Sequence, residues 1–174
     1  VRTLESIECW PGDEILLVGD GVYSNDHRCR HILVNRGNDW GHSERNHAMK
    51  FVRTPYMAHI DDDDWYVPGS RAVIQDAIHK MEKPAPILFR MQFPCGIVLW
   101  QDKDVRCGNV GTPMMIMPNE QEKLGKFLPF VGGDWAFLSD SKWNKEDIVW
   151  REEVIALLDH DPGAPSSAYA SGRA

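Results

Sequence analysis

An apolar stretch over residues 56–60 (Tyr-Met-Ala-His-Ile) runs directly into four aspartates, Asp61 to Asp64, then into Trp65, Tyr66 and a Pro68-Gly69 break. The apolar part has the composition of a buried strand. Four adjacent carboxylates at a strand's carboxyl end repel one another unless a cation meets them. A divalent ion carrying a phosphorylated ligand is a natural counter-charge. A solvated acidic loop capping the next helix is the plainer reading of the same run.

The surrounding pattern favours a sheet that ends in a ligand crevice. Residues 1–9 carry a short helical stripe (Val1, Leu4, Ile7), stopped by Pro11-Gly12. Residues 14–18 form a continuous apolar run, the mark of a buried parallel strand, broken by Gly19-Asp20-Gly21. A second strand is expected over 31–34, a polar loop over 35–40, a helix over 42–52 and the third strand over 56–60. Val73, Ile74, Ala77, Ile78 and Met81 fall at helical spacing and predict a helix over 71–81. Strands alternating with short helices predict an α/β domain whose central sheet is mainly parallel and flanked by helices. Ligands in such sheets sit beyond strand carboxyl ends, where Asp20 and the aspartate run both fall.

The second half reads as more antiparallel and β-rich. β segments are expected over 86–93, 96–101 and 113–117, a helical turn over 119–124, and a helix opening at Gly132-Gly133-Asp134-Trp135. The apolar segments 148–150 and 154–158 fit neither type clearly. The 174 residues suit one domain over 1–161, with halves 1–81 and 82–161, and a flexible Pro/Gly/Ser/Ala tail over 162–174. A net charge of −7 disfavours nucleic acid as the main partner without excluding a local basic patch. No apolar run reaches membrane-span length and no signal peptide opens the chain. Cys9, Cys29, Cys95 and Cys107 form no C-x-x-C pair, which fits reduced thiols and a cytoplasmic location.

The first half resembles family 2 glycosyltransferases, which have the GT-A fold. The resemblance lies in residues 2–7, in Glu14-Ile15-Leu16-Leu17-Val18-Gly19-Asp20-Gly21, in Asn35-Arg36-Gly37, in Ser43-Glu44-Arg45-Asn46 and in residues 60–69, in the family's order and spacing. It implies a GT-A-like domain and a metal-dependent, inverting transfer of sugar from a nucleotide sugar, with UDP favoured, to an acceptor hydroxyl. The cofactor would be Mn2+ or Mg2+. Gly19 replaces the first acid of the family's Asp-Asp-Gly, and Gly133 replaces the Glu of its Glu-Asp dyad. The family's usual first strand, which precedes the helix that starts here at Val1, is not represented: either the sequence lacks its start, or the sheet is completed otherwise.

Within a strand-like stretch, residues i and i+2 share a face, so Asp61 and Asp63 point together and Asp62 points away. Asp64 would bind the metal directly, bind it through water, or cap the helix after Pro68. The resemblance makes Asp61 and Asp63 metal ligands, with Asp61 nearer the ribose. It puts Asp20, Arg45, Asp61 and Asp62 on the nucleotide-sugar side. Asp20 would accept the uracil N–H, or is a turn aspartate. Arg45 would reach the diphosphate or hold the acidic cluster, or is a surface helix charge. Asp134 would be the general base, or a helix N-cap. His160 is a further metal-ligand candidate, against a plainer solvated histidine. Trp65, Gly111, Thr112, Gly133 and Trp135 are candidates for the acceptor and sugar pocket. Two other classes compete: a Mg2+-dependent nucleotidyltransferase, which lacks a glycine-rich phosphate loop here, and a non-catalytic module that binds nucleotide sugar or metal.

Overall fold

The computed structural model describes residues 2–19, 23–35, 37–130 and 132–162; Asp20 and most of the expected tail lie outside them. Helix α1 (Arg2–Ser6) leads through the Pro11-Gly12 turn to β1 (Ile15–Gly19), the apolar run ahead of Asp20. Strand β2 (Cys29–Leu33) pairs with β1 in parallel, Ile15 opposite Cys29, and the two form a separate two-stranded sheet. Arg28 ties this unit together. Its guanidinium donates to the carbonyls of Ile7 (2.6 Å) and Leu4 (2.7 Å), satisfying acceptors at the end of α1.

The predicted 42–52 helix is α2 (His42–Ala48) followed by a single 3-10 turn, Met49–Phe51. Strands β3 (Tyr56–Ala58) and β4 (Trp65–Tyr66) flank the aspartate run, and α3 (Ser70–His79) matches the helical spacing. Then come β5 (Ile87–Gln92), β6 (Val98–Leu99), β7 (Met115–Pro118), α4 (Gly133–Asp140) and β8 (Val149–Leu157).

The second sheet has the order β3-β7-β5-β8-β4, with β6 also paired to β5. The mixed α/β class agrees with the sequence, but the parallel pairing is narrower than its alternation suggests. Only β1–β2 and β5–β8 pair in parallel; every other pairing among the described residues is antiparallel. The reason lies in the connections, because no α-helix separates β5, β6 and β7 to carry the chain back across the sheet. Strand β8 joins the two apolar segments that fitted neither type. The charged residues Arg151, Glu152 and Glu153 divide them, and the register between β5 and β8 breaks opposite Arg90, which absorbs the charged step.

The core lies on β5, β7 and β8. Ile87, Leu88, Phe89, Met115, Met117 and Ile155 are fully buried, as a run apolar on both faces requires. Phe127 and Phe137 stack with ring centroids 4.3 Å apart and pin α4 to this core. All four cysteines are free thiols. Among the described residues, no helix is long and apolar enough to cross a membrane.

Candidate functional site

The aspartate run is a turn. Beyond Ala58 the strand ends, Asp64 N donates to Asp61 O at 3.3 Å, and Thr3 Oγ1 of α1 donates to Asp62 O at 2.8 Å. This closure corrects the strand-like expectation. Asp61 and Asp63 do converge, but Asp64 folds back to join them, and one oxygen from each of the three lies within 4.8 Å of the others. Asp62 is exposed and outside this group.

Asp64 is 3 % exposed and accepts the Asp159 N–H at 3.2 Å. Burial, then the charges of Asp61 and Asp63, push its carboxyl up to about 8. Burial and then Asp61 and Asp62 also raise Asp63, while His160 pulls it slightly back. These groups favour their protonated forms because negative charge is concentrated out of water. Three hard oxygen donors at this spacing fit Mg2+ or Mn2+. His160 follows β8 beside Asp159. Among the described residues, its Nδ1 is buried without a hydrogen-bond partner, and the converging group is the three aspartates alone.

Arg45 projects from α2 to the cluster. One guanidinium nitrogen binds Asp61 Oδ1, and Nη1 donates to Trp40 O at 2.7 Å. Its side chain is largely buried and contacts the acidic group rather than standing free on the helix surface. The guanidinium also sits 5.6 Å from the Phe127 ring centroid. That ring contacts His59, which lies edge-on to Phe127 (5.3 Å) and Phe137 (6.4 Å). Burial, then the nearby Arg45 charge, push His59 down to about 3, so it stays neutral.

Asp134 occupies the first turn of α4, whose N-cap is Gly132 with φ +97°. Asp134 therefore is not the N-cap residue; its carboxylate accepts a hydrogen bond from Thr112 Oγ1. Thr112 is buried in the 3-10 turn Thr112–Met114, and Gly111 lies against Met91, where a side chain would collide. Position 133 has no room either. A Cβ there would meet His42 Cε1 and Nε2 at 2.6 Å and Leu128 O at 2.8 Å. His42 is 5 % exposed, stacks on Phe127 and places Nε2 3.3 Å from Phe130 O, which also accepts Gly133 N–H at 3.0 Å.

Arg45, Phe127 and Phe137 thus form a packed path from the acidic turn to α4, and His42 packs on Phe127 and against Gly133. Thr112, Gly133 and Asp134 come together. Trp135 packs on the core, and Trp65 carries the Arg2 guanidinium 3.4 Å from its ring centroid. Sequence reasoning left Asp64 open between a metal ligand and a helix cap, and singled out none of His42, His59 and Trp40 as site residues. Histidines inside or beside apolar stretches were the available signal for two of them.

Solved structures share this fold. It is similar to S. aureus TarS. The crystal structure of TarS 1-349 matches with a TM-score of 0.63 and 12% identity, over 90% of this chain and 55% of that one. The same protein in complex with UDP gives 0.58 and 14%, over 90% and 55%. Its complex with UDP-GlcNAc gives 0.56 and 12%, over 80% and 44%. The chain spans about half the length of these TarS chains. No protein-family model matches the sequence, and no curated protein matches it.

Proposed function

We propose that this chain carries the nucleotide-sugar-binding and transfer site of a metal-dependent, inverting glycosyltransferase, with a UDP-sugar donor and a hydroxyl acceptor. The observation that carries the reading is the converging Asp61, Asp63 and Asp64 at the end of β3. They lie in a fold similar to that of a protein crystallised with UDP and with UDP-GlcNAc.

Asp61, Asp63 and Asp64 would hold Mn2+ or Mg2+, with His160 beside them. That ion, when bound, supplies Lewis-acid stabilisation of charge on a departing diphosphate. Arg45 fixes Asp61 and adds positive charge beside the cluster. Asp134 takes the proton from the acceptor hydroxyl, and the hydrogen bond from Thr112 sets the carboxylate's orientation. The acceptor oxygen forms a bond to the anomeric carbon as the carbon–diphosphate bond breaks. UDP leaves with the bonding electron pair, and configuration at that carbon inverts.

Thermal unfolding with UDP, with and without Mn2+, tests the donor half, because a site-specific ligand raises Tm by mass action. The expected result is a rise with both together that Asp63→Asn removes. Absence of any rise in folded protein overturns the reading. Asp134→Asn tests the chemical half. It should keep the UDP and Mn2+ response while lowering sugar transfer by about 10²–10⁴-fold. Unchanged turnover would exclude Asp134 as the base.

A further inference from the structure

Several tryptophan faces near the chain's polar sites are already covered. Arg71 lies 4.7 Å from the Trp10 ring centroid, Arg2 lies 3.4 Å from that of Trp65, and Trp135 packs on the core. Trp40 differs. It is 52% exposed, and among the described residues no cationic side chain stacks on it. Its backbone holds φ +57°, a left-handed conformation that is unfavourable for a bulky residue. Its carbonyl accepts a hydrogen bond from Arg45 Nη1 at 2.7 Å.

The same Arg45 binds Asp61, so the Trp40 turn is tied to the acidic cluster. On its other side the indole lies tilted against His42, with centroids 6.3 Å apart. The edge of His42 fills the space a side chain at 133 would occupy, one residue before Asp134. Trp40 is therefore connected to both halves of the proposed transfer site, through Arg45 to the cluster and through His42 to the start of α4.

We propose that Trp40 is the stacking surface for the transferred sugar ring of the donor. This rests on the nucleotide-sugar reading above. A donor bound at the cluster must place its anomeric carbon between the diphosphate and the Asp134 carboxylate. A pyranose presents a face of C–H groups with hydroxyls at its rim. An indole face suits that C–H surface, and Arg45, Asp61 and Asp134 offer partners to the rim. The nucleobase and the acceptor are competing occupants of the same ring.

Isothermal titration of UDP, UDP-glucose, UDP-galactose and UDP-GlcNAc in Mn2+ separates these cases, using wild type, Trp40→Gly and Trp40→Tyr. Glycine adopts positive φ readily, so Trp40→Gly removes the ring while keeping the turn, and an unchanged Tm confirms it. The expected result is that Trp40→Gly weakens the UDP-sugar the wild type prefers by about tenfold, leaves UDP unchanged, and is largely rescued by Trp40→Tyr. Equal weakening of UDP and the UDP-sugars puts the ring on the nucleobase and overturns the proposal. An unchanged ratio of UDP-sugar to UDP affinity also overturns it. Failure of wild type to bind UDP at all sinks the nucleotide-sugar reading itself, which is a separate and recognisable result.

Discussion

Asp64 is held at an energetic cost. A carboxylate 3 % exposed beside Asp61 and Asp63 stabilises neither itself nor its neighbours in the absence of a cation. Asparagine has nearly the same shape and still accepts the Asp159 N–H. Asp64→Asn should therefore raise the Tm of metal-free protein at pH 8 by about 5 °C. It should also abolish the added rise from Mn2+ with UDP. A fall in metal-free Tm would show that the buried charge is no liability. His59 makes a second prediction, this time in acid. Its value is about 6.5 unfolded and about 3 folded. Above pH 6.5 both states are neutral and His59 contributes no pH dependence. Below it the unfolded chain binds a proton that the folded chain refuses, so stability falls as pH drops from about 6.5 to about 3. The slope from this residue approaches about 1.4 kcal/mol per pH unit. His59→Phe should flatten it, and urea midpoints between pH 7 and 4 in both proteins measure the difference.

The start of α4 is set by packing between elements. Gly133 is required because His42 and the Leu128 carbonyl occupy the space beside it. Gly133→Ala should cost about 2 kcal/mol, by overpacking at 2.6–2.8 Å. In a His42→Ala background much of that cost should vanish, and a double-mutant cycle by urea unfolding reads the coupling directly. Additive costs would mean the two residues do not compete for space. Elements of this molecule were readable where local pattern agrees with tertiary environment. Helix α3 follows from Val73, Ile74, Ala77 and Ile78 because one helix face meets the core. Strand β5 follows from the apolar run Ile87-Leu88-Phe89 and the alternation of Met91 and Phe93 with Arg90 and Gln92. Strand β8 was hidden because 151–153 interrupts its hydrophobicity, and only a register break makes the charged step compatible with pairing. In the site, Asp61 and Asp63 were legible from spacing. Asp64 stayed open between ligand and helix cap, because period-2 logic sets it on the other face of a strand, whereas this run is a turn. Trp40 and His42 were invisible for another reason: their partners, Asp61 by way of Arg45 and Gly133 for His42, are distant in sequence.

At the scale of the whole molecule, the two sheets are unequally anchored. Ile87, Leu88 and Phe89 of β5 are fully buried, whereas Ile15 and Ile32 are the buried hydrophobic side chains of the β1–β2 sheet and Leu33 is 57% exposed. The smaller sheet depends on polar ties instead: Arg28 to the α1 carbonyls, Arg30 to Glu14 at 2.6 Å, and Arg71 to Asp13 at 2.6 Å. Partly exposed ion pairs contribute little each, typically about 0–1 kcal/mol. The β1–β2 sheet should consequently open in local fluctuations that leave β5, β7 and β8 intact. In native-state hydrogen exchange, the β5 amides should require global unfolding, and those of β1 and β2 should exchange about a hundredfold faster. UDP with Mn2+ should slow β1 selectively if the nucleotide binds at its carboxyl end, where Asp20 follows in sequence. Protection spread evenly over both sheets would place the ligand's effect on global stability, and a β1 that exchanges as slowly as β5 without ligand would refute the unequal anchoring.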